Sequence, residues 1–167
     1  THALKITEEL HDQKAAARCL INIAAIYYEQ KQYTTGIETL KRAFQVGKSA
    51  GDERTMGRSL NNIAYMFLGF KELDSAFVYA QSALRASEVA GDLYLIAFAK
   101  RSLGDIYLAK NDPHEALANF NACLGISEKE KNTFLKVSTL HRLGMTYSAL
   151  GKYDKALEHM LQGIGIT

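Results

Sequence analysis

The sequence predicts an all-α chain of antiparallel helix pairs, and three observations carry that prediction. The chain of 167 residues has one proline, no tryptophan and 47% apolar residues, a composition that suits helices and leaves little room for loops. Apolar residues recur at helical spacing in runs separated by short polar breaks. Most decisive is a repeat: laid on itself at a shift of 40, the chain aligns HD at 11–12, GD at 51–52, GD at 91–92 and KN at 131–132. The same shift aligns Ala24, Ala64, Gly104 and Gly144, then Tyr27, Phe67, Tyr107 and Tyr147, then Gly36, Ala76, Ala116 and Ala156.

Residues 1–12 read as the second helix of a leading repeat, and 13–52 as the first full repeat. In 53–92 the first helix carries Met56, Leu60, Ile63, Ala64 and Phe67. After a break at Gly69 to Glu72, the second carries Leu73, Ala76, Phe77, Ala80, Ala83 and Leu84. Small residues at 64 and 76 let the two helices approach, and the aromatic at 67 fills the space beyond. Gly51-Asp52 and Gly91-Asp92 each supply a helix stop and a new start. In 93–132, Asp112 caps a helix opened by Pro113, with Glu115 placed to complete a capping box. Residues 133–167 form a last, incomplete repeat, and the whole reads as one domain cut from a longer protein.

The motif LGKYDKALEH at 150–159, the two small-residue columns and the aromatic at 27, 67, 107 and 147 resemble the tetratricopeptide repeat. That unit usually spans about 34 residues. The longer period of 40, S/V-A-G-D between units and the segment GRSLNNIAYMFLG resemble its long-repeat subclass. The subclass includes Leu-Gly-Asn-rich polarity scaffolds, Rap-type peptide-sensing regulators and repeat modules of bacterial signalling proteins. The resemblance implies a right-handed superhelical solenoid whose first helices line a concave groove.

Within the first helix of a unit, positions 58, 61, 62, 65 and 68 interleave with the core columns and turn toward that groove. Through the units the columns read Arg18, Arg58, Phe98, Ser138; Ile21, Asn61, Arg101, His141; and Asn22, Asn62, Ser102, Arg142. Arg-x-x-x-Asn occurs twice, as Arg18/Asn22 and Arg58/Asn62. Asparagine can bond both polar groups of an extended backbone, and arginine grips a carboxylate through two parallel bonds. The resemblance implies the same use, since polarity scaffolds hold acidic peptides on an Arg and Asn ladder. Arg101 and Arg142 extend the positive stripe, and Tyr65, Leu68 and Phe98 offer apolar contact. Two readings of the pair stand, ligand contact or a solvated and structural role, and Asp105 opposes the basic one by facing Arg101.

A net charge of +2 excludes a general nucleic-acid footprint. Among five histidines and two cysteines no metal spacing occurs, and no nucleophile motif or phosphate loop is present. Cys19 and Cys123 read as buried free thiols of a reducing, cytoplasmic setting. No apolar run spans a membrane. The expectation is therefore a non-catalytic module, without cofactor, that binds a protein or an acidic linear peptide. The alternatives are a dimerisation or sensory segment of a larger bacterial signalling protein, with Ile164 and Ile166 packing on a further segment or on a second copy, and a structural spacer without a groove ligand.

Overall fold

The computed structural model describes residues 12–165; the leading helix expected at 1–12 and Ile166 lie outside them, apart from Asp12. The described residues form eight α-helices and no strand: α1 (Gln13–Glu29), α2 (Tyr33–Ser49), α3 (Glu53–Gly69), α4 (Leu73–Val89), α5 (Leu93–Ala109), α6 (Pro113–Lys129), α7 (Thr133–Ala149) and α8 (Tyr153–Gly163).

The first seven helices are equal in length, and each is followed by a short turn. Every turn places one residue in the left-handed region: Lys31, Gly51, Lys71, Gly91, Asn111, Lys131 and Gly151. The expected pause at Gly51-Asp52 and Gly91-Asp92 is thus one case of a rhythm that every helix end shares. At Lys31, Lys71 and Lys131 a lysine adopts a φ that glycine would take without steric cost. Gly69 serves another purpose. It is the last residue of α3, and a Cβ there would stand 2.7 Å from Cζ of the Tyr33 ring, so it permits helix contact while Lys71 makes the turn.

The second residues of the aligned HD, GD, GD and KN pairs are N-caps. The Oδ1 atoms of Asp12, Asp52, Asp92 and Asn132 accept the N–H of Ala15, Thr55, Leu95 and Leu135 at 2.9, 3.2, 3.1 and 2.9 Å. Asp112 caps α6 with Pro113 opening the helix and the Glu115 N–H donating to Oδ1 at 3.2 Å, but the expected capping box is not completed by Glu115, because the Asp112 N–H donates to the Tyr107 carbonyl at 2.8 Å.

The chain forms two compact units, one through Leu95 and the other from Ile96, a division in the first turn of α5. In the first unit α1 packs on α2, α2 on α3 and α3 on α4, while α1 also touches α3. Its core joins Leu20, Ile21, Ala24, Ile37, Leu40, Ile63 and Met66, with Phe67 and Tyr79 against it. In the second unit α6 packs on α7 and α7 on α8. One cluster there joins Ala116, Phe120 and Leu143 with Tyr107 and Tyr147, and another joins Ala97, Cys123 and Leu135 with Phe98. Leu60, expected in the core, is half-buried. Thr55, Ser59 and Asn61 are buried on the same helix, because α3 has three neighbours and its covered arc is wider than one hairpin needs.

Candidate functional site

In the first unit, the amino-terminal turns of α1 and α3 border a hollow of about 500 Å³. Lys14, Arg18, Arg54 and Arg58 line it with Asp12, Asp52 and Thr55, and Ile21 and Leu95 supply apolar wall. Among the described residues four cations face two carboxylates, an excess of positive charge that favours an anionic ligand. Helical spacing builds this arrangement. Lys14 and Arg18 lie one turn apart on α1, and the repeat puts Arg54 and Arg58 at the same places on α3.

The four cations are not equivalent. Arg54 Nε lies 2.6 Å from Asp92 Oδ2. Lys14 stands near enough to Asp52 to act on its carboxyl, which sits below the usual carboxylate range. There burial pushes upward most strongly, and the Thr55 hydroxyl, the Thr55 N–H, the Lys14 charge and the Arg54 N–H together outweigh it. The Thr55 hydroxyl donates to Asp52 Oδ2 at 2.7 Å. Arg18 and Arg58 are exposed, and among the described residues neither makes a hydrogen bond or ion pair.

The structure therefore brings together Arg18 and Arg58, as the sequence suggests, and adds Lys14 and Arg54 beside them. The signal for these two was present, because they occupy one column a helical turn before the Arg column. Asn22 is exposed and Asn62 half-buried on the same two helices, and neither lines the hollow; Tyr65 and Leu68 are half-buried further along α3. Asn61 departs from the expected groove position: it is only 2% exposed, covered by the packing around α3.

In the second unit the arginines are already engaged. Arg101 is 8% exposed, donates from Nη1 to Ser138 Oγ at 3.0 Å and lies over the Phe98 ring, 4.6 Å from its centroid. Arg142 Nε donates to Asp105 Oδ1 at 2.6 Å. The expected opposition of Asp105 to Arg101 is thus an ion pair with Arg142 instead. Phe98 packs on Ala97, Cys123 and Leu135. The Cys123 thiol is pushed up by burial, with a Thr139 hydroxyl at 3.2 Å and the nearby arginines acting against that rise. Among the described residues no cluster of ligating side chains could hold a metal ion, and no helix is long and apolar enough to cross a membrane.

The tetratricopeptide repeat family model matches residues 13–89 and 94–166. The chain belongs to the tetratricopeptide repeat family. Its described helices are those of a tetratricopeptide-like solenoid, a fold that serves generally as a protein–protein interaction scaffold. Solved structures with the same fold include BtubC (BKLC) from P. vanneervenii, at a TM-score of 0.76 and 19% identity over 92% of this chain and 64% of that one. The apo form of RapI superposes at 0.79, with 22% identity over 96% of this chain and 45% of that one. A Rap protein complexed with Competence and Sporulation Factor superposes at 0.82, with 23% identity over 90% and 43%. The repeat chain spans less than half the length of either Rap protein and less than two thirds of BtubC. No curated protein sequence matches it.

Proposed function

We propose that this tetratricopeptide chain is a non-catalytic binding module that holds an acidic linear peptide of a partner protein, with the hollow of the first unit as the principal grip. The observation that carries this reading is the pair Arg18 and Arg58, two exposed guanidinium groups without a partner among the described residues, at equivalent places on α1 and α3. Each can take a carboxylate through two parallel bonds. Asn22 and Asn62, one turn further along each helix, are placed to bond the backbone of an extended chain. The engagement of Arg101 and Arg142 inside the second unit concentrates acid recognition in the first.

Fluorescence anisotropy with a labelled octaglutamate peptide tests the proposal. Arg58→Ala is expected to weaken binding about tenfold, and Arg18→Ala to add a similar loss. High salt is expected to weaken the wild type strongly and the double variant little. An affinity unchanged in Arg18→Ala/Arg58→Ala would overturn the acidic-peptide reading.

A second reading, self-association, is favoured by α8. Tyr153, Leu157 and Ile164 recur at helical spacing and are exposed, an apolar stripe with no cover among the described residues, and Met160 at its border rests on Gly144 of α7.

A further inference from the structure

Among the cations of the hollow, Arg54 is already held, by a carboxylate that has two jobs on two oxygens. Asp92 Oδ1 accepts the Leu95 N–H at 3.1 Å and so caps α5, while Oδ2 lies 2.6 Å from Arg54 Nε. That second oxygen is sequestered from solvent and makes no hydrogen bond of good geometry, so the guanidinium contact is what compensates its burial. The two partners differ sharply in freedom: the Asp92 side chain is 8% exposed and anchored by its cap, whereas the Arg54 side chain is 69% exposed. Arg54 can therefore swing away on its flexible stem, and Asp92 cannot follow.

We propose, resting on the acidic-peptide reading above, that Asp92 is a built-in competitor for the ligand's carboxylates, occupying Arg54 in the empty hollow and leaving Arg18 and Arg58 as the open grips. A peptide carboxylate that recruits Arg54 has to replace the Asp92 contact, so the exchange of one carboxylate for another yields little net affinity. The remaining charge of Asp92 also repels an acidic chain lying beside it. Both effects lower the affinity for densely acidic chains and favour a ligand whose acids are spaced to meet Arg18 and Arg58.

Asp92→Asn separates the two jobs: its Oδ1 caps a helix as well as that of aspartate, while an uncharged amide NH2 replaces the Oδ2 that faces Arg54 and cannot hold the guanidinium. Circular dichroism should stay close to wild type because the cap is kept, and thermal unfolding should fall only modestly from the loss of the Arg54 contact. Octaglutamate affinity should rise about three- to tenfold at low salt, the size expected for freeing one cation and removing one carboxylate near the ligand. In the Arg54→Ala background the same substitution should improve binding less than about twofold, a double-mutant cycle that isolates the role of Arg54. If the wild type binds through Arg18 and Arg58 but Asp92→Asn leaves affinity unchanged or weaker, the competitor role is overturned while the binding proposal stands. A gain that persists undiminished without Arg54 also overturns it, since charge removal alone would then explain the effect. If the wild type does not bind the peptide, the acidic-peptide reading falls and the competitor role falls with it.

Discussion

Gly104→Ala adds one methyl group to α5 and tests how tightly the repeat contacts are matched. A Cβ at this position would stand 2.6 Å from Cδ1 and 2.8 Å from Cζ of Phe120, and nearer still to Cε1. Carbon atoms pack comfortably at about 3.5–4.0 Å, so the ring would have to retreat by about 1 Å. Phe120 is fully buried against Ala116 and Leu143 and has no open side to retreat into. Overpacking of this severity costs about 3 kcal/mol, and replacing glycine by alanine within a helix returns about 1 kcal/mol. The net expectation is a loss of about 2 kcal/mol, read as a lower urea midpoint with an unchanged slope. Gly125→Ala on α6 is the control, because nothing lies within 4 Å of its new Cβ; it should gain about 1 kcal/mol. Adding Phe120→Leu to Gly104→Ala should recover part of the loss. A Gly104→Ala chain as stable as the Gly125→Ala chain would refute the reasoning.

Acid unfolding should reveal Asp52. Its folded carboxyl titrates below the unfolded one, so its stabilisation is present above the unfolded value of about 3.9 and disappears as pH falls through the lower folded value. Asp52→Asn keeps the cap and lacks that titration, so the stability difference between wild type and variant should shift against the wild type on acidification through this window, as measured by urea unfolding at several pH values. If the α8 stripe carries self-association, the wild type should show a concentration-dependent mass in sedimentation velocity, and Leu157→Lys should abolish it; a monomer at all concentrations would remove that reading.

The architecture was legible because it is local and repeated. The caps at 12, 52, 92 and 132, the small residues at 24, 64, 104 and 144 and the helical stripes all recur at one shared period, and their agreement specifies helix pairs without any long-range information. The turns at Lys31, Lys71 and Lys131 were less visible, since lysine does not advertise a left-handed conformation as glycine does. For the candidate site, two columns one helical turn apart share a helix face, which is why Arg18 and Arg58 could be paired from sequence, and Lys14 and Arg54 could have been.

What the sequence by itself determined is therefore the helix pairs, their period and the positions that carry charge on the first helix of each pair. Only tertiary structure decided which charges remain available. Arg54 is claimed by Asp92, the cap of α5, while Arg142 is claimed by Asp105 and Arg101 by Ser138, contacts that join α5 to α7. Asn61 disappears beneath the neighbours of α3. Helical periodicity reports the direction of a side chain from its own axis, whereas burial and pairing depend on what neighbouring helices bring to that direction. Equivalent columns of the repeat can therefore end as exposed arginines in one unit and as a closed internal network in the other.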